Sequence, residues 1–197
     1  MVWFRDHYLR TPEDADDWRA SPIKAASLAG AAPANRDTGA DSAPAQRMTP
    51  QPSLMALAIA EAEAAAARGE VPVGAVLIDD AGHVLAAAGN RVEADCDPTA
   101  HAEMLALRAG FVRLGVKYLS ECDLYVTLEP CAMCASAIGV ARLRRLYFGA
   151  YDPKGGAVAH GPRIFDQPTT HHRPEIYGGI EERRAGELLR AFFTDRR

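Results

Sequence analysis

The pattern of apolar and polar positions changes near residue 50. Residues 1–50 are rich in Ala, Asp, Pro, Ser and Thr and show no sustained apolar period. Such a segment lacks the apolar surface that offsets the entropy lost on folding. We therefore predict that residues 1–50 form a disordered extension and that residues 51–197 form one domain. A regulatory arm, or an over-extended gene model with translation starting at Met48, are the alternatives.

Beyond residue 50, helical and strand-like patterns alternate along the chain. The Ala-rich segment from Ser53 to Arg68 predicts a helix that Ser53 caps and Gly69 ends. The further predicted elements are strands at 73–78, 83–88, 124–128 and 143–150, helices at 98–114 and 130–141, a short strand at 175–177 and an amphipathic helix at 180–193. This order predicts a mixed sheet with helices on both faces.

The composition of the chain is that of a globular domain rather than of a membrane protein. The chain has 197 residues, of which 48% are hydrophobic and 24% charged, as is typical of a globular domain. No run approaches the ~20 apolar residues of a membrane helix, so no membrane contact is expected. The N-terminus also lacks the pattern of a signal peptide. Four cysteines, two of them three positions apart, indicate the cytoplasm and a metal or redox role for that pair.

Two short motifs contain the residue types of a metal site. TAHAE at 99–103 and EPCAMC at 129–134 each lie where a helix is predicted to begin. Their spacing puts Cys131 and Cys134 on one face of a first helical turn, where the positive helix end favours thiolate. His101 supplies a nitrogen from the other helix. Three protein ligands leave a position for water, which is the arrangement of a catalytic zinc rather than a structural one.

Glu103 lies two residues from His101 and is the candidate proton carrier. Zinc can lower the pKa of its bound water to about 7, and a nearby carboxylate can pass protons from that water to a substrate. A thioredoxin-like redox pair is the alternative for the two close cysteines, but it explains neither His101 nor Glu103. We interpret Cys122 as a buried thiol and Cys96 as a spare loop thiol.

Residues 53–197 resemble the bacterial tRNA-specific adenosine deaminase family, within the cytidine/deoxycytidylate deaminase superfamily. The matching segments are EVPVGA at 70–75, GNR at 89–91, DPTAHAEMLALR at 97–108, LYVTLEPCAMC at 124–134 and FGA at 148–150. The resemblance implies a three-layer α/β/α cytidine-deaminase-like fold with a mixed five-stranded sheet and one Zn²⁺ per chain. It also implies a homodimer that converts adenosine to inosine at the wobble position of a tRNA anticodon.

The resemblance further implies roles for individual residues. Asn90 matches the asparagine that hydrogen-bonds the target base. Val71 and Pro72 match the wall of the base pocket. Asp152 matches an acidic residue near the bound anticodon stem-loop. Tyr151 departs from the family pattern, since an arginine is frequent at its position.

Charge and chemistry leave an alternative substrate open. The whole chain carries a net charge of −4, but residues 139–197 contain 11 Lys and Arg against 7 Asp and Glu. The basic residues from Arg142 onward, including Lys154, are therefore candidate phosphate contacts. A free-base or nucleoside deaminase acting on guanine, cytosine or cytidine would use the same zinc chemistry and is the alternative function. A non-catalytic partner subunit would have no need of Glu103.

Overall fold

Four α-helices and five strands make up residues 53–194, the part of the chain that the computed structural model describes. The helices are α1 (Leu54–Ala67), α2 (Ala102–Leu114), α3 (Ala132–Ala141) and α4 (Glu182–Thr194). The strands are β1 (Gly74–Ile78), β2 (Val84–Gly89), β3 (Asp123–Leu128), β4 (Arg145–Ala150) and β5 (Glu175–Tyr177). All of these elements were predicted, whereas the prediction for residues 1–50 lies outside the described residues.

The strands form one mixed sheet in the order β2-β1-β3-β4-β5. Strand β1 pairs antiparallel with β2 and β3, whereas β3, β4 and β5 run parallel. Because β3 and β4 are parallel, their connection must cross over, and α3 provides the crossover. The carboxyl ends of these two strands therefore meet at one edge, where Leu128 lies opposite Ala150. The EPCAMC motif leaves the sheet at this edge.

Helices cover both faces of the sheet, which confirms the predicted three-layer fold. On one face, Met55 of α1 packs with Val76 of β1, and α4 contacts both β4 and α1. Helices α2 and α3 cover the other face, where Leu107 of α2 shares a buried cluster with Leu77 of β1. Gly74 permits the close contact of β1 with α1, since a Cβ there would lie 2.0 Å from the carbonyl oxygen of Ala58.

Helices α2 and α3 begin later than the sequence pattern predicted. Before α2, the Asp97 carboxylate accepts hydrogen bonds from the backbone N–H and the hydroxyl of Thr99, at 2.8 and 2.7 Å. This local turn competes with the first helical turn that Pro98 and Thr99 suggested. As a result, His101 is the N-cap residue of α2 rather than a residue inside the helix. Cys131 is likewise the N-cap residue of α3.

The segment between β4 and β5 packs against α3. A short 3-10 helix, Ile164–Asp166, was not predicted and buries Phe165. The Nε2–H of His172 donates to the carbonyl oxygen of Leu143 at 2.6 Å and holds the segment beside the start of β4. Within residues 53–194, no helix has both the length and the apolar character needed to cross a membrane.

Candidate active site

Three side chains of the predicted metal site meet at the N-terminal ends of α2 and α3. His101 and Cys131 are N-cap residues, and Cys134 is buried in the first turn of α3. Neither N-cap side chain forms a capping hydrogen bond within the described chain. Their nitrogen and sulfur atoms are therefore left to bind another partner.

The separations of these atoms suit a single small metal ion. His101 Nδ1 lies 3.7 Å from Cys131 Sγ and 3.5 Å from Cys134 Sγ, and all three atoms lie within 4.8 Å of one another. A tetrahedral zinc with the usual bond lengths separates a nitrogen and a sulfur ligand by about 3.5 Å. No other group of three His, Cys, Asp or Glu side chains among the described residues has ligand atoms this close.

The electrostatics of the cluster favour one of the two thiolates that zinc requires, whereas hydrogen bonding to Cys131 and burial raise the pKa of Cys134, whose proton the metal must displace. Hydrogen bonding from the Cys134 thiol, aided by His101, lowers the pKa of Cys131 to about 4. Hydrogen bonding with Cys131 raises the pKa of His101 in turn. Since metal binding must displace protons from cysteine, a thiolate that already exists lowers the cost of binding. The donor set of one imidazole and two sulfurs therefore fits zinc.

Glu103, in the first turn of α2, is 3% exposed. Its Oε2 is fully buried and has no hydrogen-bond partner among the described residues. Burial raises the pKa of the carboxyl group to about 7. A buried polar atom without a partner costs about 1–3 kcal/mol or more, so we expect Oε2 to face a partner other than residues 53–194. A carboxyl group that titrates near neutral pH can both accept and donate a proton.

Asn90 links the end of β2 to the start of α2. Its side-chain oxygen accepts a hydrogen bond from the backbone N–H of Ala102 at 2.8 Å, which leaves its NH₂ group for a ligand. Its own backbone N–H donates to Val73 at 3.0 Å. Val73 directly follows Pro72, which is buried, and Val71, which is half-buried. The backbone contact thus links Asn90 to the segment that contains the other two predicted residues.

Asp152 is buried and organises a turn. Its Oδ1 accepts hydrogen bonds from the backbone N–H groups of Lys154 and Gly155, at 3.0 and 2.9 Å. Its backbone N–H donates to Glu129 at 3.0 Å. The carboxylate therefore shapes the loop after β4, and contact with RNA stays a prediction for this residue.

Two buried glutamates were not predicted as site residues, although each begins a segment that the sequence singled out. Glu70, at the start of EVPVGA, accepts hydrogen bonds from the backbone N–H groups of Glu93 and Ala94. Glu129, at the start of EPCAMC, accepts hydrogen bonds from the loop after β4. The sequence offered one signal for them, a glutamate next to an apolar strand. Because Glu is rarely buried without partners, such a glutamate indicates a hydrogen-bonded structural role.

The arginines near the start of β4 are engaged in ion pairs. Arg144 donates twice to Asp123, at 2.8 and 3.0 Å, and Arg145 pairs with Glu175 at 2.9 Å. Their charges are therefore partly neutralised within the fold. The excess of positive charge after residue 139 is weaker support for phosphate contacts than the sequence suggested.

Known proteins share this arrangement. Residues 48–150 match the family model of the cytidine and deoxycytidylate deaminase zinc-binding region. The chain is 53% identical to the tRNA-specific adenosine deaminase of Agrobacterium fabrum over 150 residues, which cover 76% of this chain and 98% of that relative.

Solved structures point in the same direction. One from studies of A-to-I editing by tRNA:A34 deaminases at the wobble position of transfer RNA is 54% identical, with a TM-score of 0.68, and the match covers 69% of this chain and 98% of that one. The guanine deaminase of Nitrosomonas europaea is 24% identical, with a TM-score of 0.58 over 72% of this chain and 83% of that one. The second similarity concerns the fold alone.

Proposed function

The chain belongs to the tRNA-specific adenosine deaminase family, and on that premise we propose that it hydrolyses adenosine to inosine at the wobble position of a tRNA anticodon. Zn²⁺ is its cofactor. The observation that carries the proposal is the buried Glu103 oxygen, which has no partner among the described residues and lies beside a cluster of metal ligands. A purely structural zinc site has no use for such a group.

We assign the zinc ligands to His101, Cys131 and Cys134. When bound, zinc makes water acidic enough to supply a nucleophile at neutral pH. Glu103 is the catalytic residue that moves protons: its Oε2 takes up the proton that the water loses. The same carboxyl group would deliver that proton to the purine ring, then take the proton of the newly added hydroxyl group and pass it to the amino group, which leaves as ammonia.

Other residues of the site position the base. The NH₂ group of Asn90 can donate to an acceptor nitrogen of adenine, because its oxygen is already used by α2. Val71 and Pro72 supply apolar contacts on the side of the site next to Asn90. The nucleotide must leave its stack to enter such a site, and a hairpin loop lowers that cost because its bases are already unstacked. We propose that Asp152 contributes through the turn that it shapes near α3.

We further propose that the protein is a cytoplasmic homodimer that binds the anticodon stem-loop. Val112 near the end of α2 is 84% exposed, and Val140 near the end of α3 is 66% exposed. The segment after α2 meets the end of α3, since the backbone N–H of Leu119 donates to the carbonyl oxygen of Ala141 at 2.8 Å. Exposed apolar side chains on these two helices suit a protein interface. Light scattering coupled to size-exclusion chromatography tests the dimer.

Kinetics on RNA and on small molecules test the function. We expect kcat/KM for an anticodon stem-loop to exceed by far the values for free adenosine, cytidine and guanine, because phosphate and flanking-base contacts position the reacting base. Mapping inosine in total tRNA after incubation with the enzyme should identify the wobble position. Equal efficiency on RNA and free nucleosides, or turnover of free bases alone, would instead favour the small-molecule deaminase.

A further inference from the structure

A buried carboxylate lies directly before the metal-ligand segment. Glu129 follows β3, and its side chain is fully buried. Its hydrogen-bond donors are the backbone N–H groups of Asp152, Val158, Ala159 and His160 and the Nδ1–H of His160, at 2.7 to 3.1 Å. Five donors therefore surround one carboxylate, and they come from a loop more than 20 residues away in sequence.

The geometry of these contacts assigns the roles of donor and acceptor. The four backbone N–H groups can only donate, so the oxygens of Glu129 act as acceptors. The Nδ1 of His160 lies 2.7 Å from Glu129 Oε2 and, with an acceptor oxygen as its partner, is the donor of this contact. Such charge-assisted hydrogen bonds are among the strong ones, and they draw residues 152–160 around Glu129.

The same loop contacts the backbone of the ligand segment. Gly156 forms an antiparallel bridge with Cys131, and Ala157 donates to the carbonyl oxygen of Pro130 at 2.9 Å. Gly156 packs so closely that a Cβ there would lie 2.5 Å from Glu129 Cδ and 2.6 Å from Oε1. The backbone of Cys131 is therefore held by a loop that is itself folded around Glu129.

We propose that Glu129 and His160 are positioning residues of the metal site. They order residues 152–160, and that loop fixes the N-cap geometry of Cys131 as a ligand. The inference rests on the zinc site in the proposed function, but not on the identity of the substrate. Removal of a group that holds a metal ligand in place typically lowers metal affinity or activity by about 10–100-fold.

Two substitutions of His160 test its side-chain hydrogen bond to Glu129 separately from the imidazole ring itself. His160→Ala removes the side-chain donor to Glu129 and keeps the backbone donor. His160→Asn keeps one, because the Asn side-chain nitrogen is as many bonds from Cα as His Nδ1. We expect His160→Ala to accelerate zinc loss to a chelator by about tenfold or more and to lower kcat by a similar factor. His160→Asn should restore most of both, and KM for the RNA should change less than kcat.

A third variant perturbs the same contact from the loop. Gly156→Ala pushes a methyl group against the carboxylate and should reproduce the defects of His160→Ala. Gly139→Ala is its control, since a Cβ there meets only ordinary contacts at 3.5 Å or more. His83→Ala is the control for His160→Ala, because it removes a comparable pair, His83 Nδ1 to Asp79 Oδ2 at 3.0 Å, on the surface.

Cobalt substitution provides a readout that does not depend on activity. The visible absorption of Co²⁺ reports the geometry of its nitrogen and sulfur ligands, so it should change in His160→Ala and return in His160→Asn. A lower melting temperature with unchanged zinc retention and an unchanged cobalt spectrum would overturn the proposal, because the pair would then stabilise only the fold. Faster zinc loss in His160→Ala, together with a wild-type protein that does not deaminate RNA, would support the positioning role and refute the proposed function.

Discussion

The side-chain oxygen of Asn90 accepts a hydrogen bond from the backbone N–H of Ala102, the residue after His101, at 2.8 Å. One end of this amide therefore caps the helix that carries Glu103, and we propose that the other end donates to the base. A cap of this kind contributes about 0.5–2 kcal/mol to the free energy of unfolding. Stability and substrate binding are thus joined in one side chain, and substitutions can separate them.

Asn90→Asp should separate the two roles of the amide. Aspartate keeps an oxygen to accept from Ala102 but has no NH₂ group to donate to the base. We expect Asn90→Asp to retain the free energy of unfolding better than Asn90→Ala, while both variants lose kcat/KM on RNA. Urea denaturation and steady-state kinetics measure the two effects. A wild-type kcat/KM in Asn90→Asp would show that the NH₂ group makes no contact that matters.

Glu103→Gln should abolish turnover and leave the zinc in place. The amide cannot take up and release the proton, and positioned proton transfer is worth about 10²–10⁴-fold in rate. Metal analysis and kcat on a stem-loop RNA check both parts, with Glu121→Gln on the surface as the control. Deamination by Glu103→Gln at a near-normal rate would remove the residue from the mechanism.

Three of the four cysteines should differ in their reaction with iodoacetamide. Cys96 is exposed and should react first, whereas burial raises the pKa of Cys122 to about 11 and keeps it an unreactive thiol. Cys131, whose pKa is lowered to about 4, should become reactive only when a chelator removes the zinc. Mass spectrometry of the labelled peptides reads out each site. Equal labelling of Cys131 with and without zinc would argue against its role as a ligand.

Activity on RNA should fall as salt rises, whereas activity on a free nucleoside should change little. Each neutralised phosphate of a single strand contributes about −0.7 to the slope of log K against log salt. Lys154→Gln, which removes one proposed phosphate contact, should make that slope shallower by about 0.7. Arg144→Gln should mainly lower stability, because this guanidinium is already bound to Asp123. Equal slopes for the wild type and Lys154→Gln would exclude a phosphate contact at that residue.

Deletion of residues 1–47 should leave kcat/KM and the melting temperature nearly unchanged. The match to the zinc-binding region begins at residue 48, and every proposed site residue lies within residues 53–194. Purified full-length and shortened chains can be compared directly by calorimetry and by stem-loop kinetics. Loss of several degrees, or of RNA binding, would assign a role to the N-terminal segment.

Local spacing in the sequence was enough to predict the elements and the metal-binding residues. Cys131 and Cys134 are three positions apart, so their relation follows from the geometry of one helical turn. Glu103 is only two positions from His101, so the two residues share one helix start. The strands could be predicted for a similar reason, since a buried strand requires a short run of apolar residues in the sequence. The predicted start of α2 was too early, because Asp97 and Thr99 form a turn that competes with the first helical turn.

Contacts between distant residues were decided only by the tertiary structure. Glu129 accepts hydrogen bonds from residues 23 to 31 positions later, and most of these donors are backbone N–H groups. Every non-proline residue has such a group, so no pattern of side chains marks which loop will surround a carboxylate. Arg144 likewise pairs with Asp123, 21 positions away in sequence. This ion pair weakens the argument that the excess of Lys and Arg after residue 139 serves phosphate binding. Residue types and local spacing therefore determined the candidate metal-binding residues, whereas the tertiary structure determined which loop and which hydrogen bonds hold those residues in place.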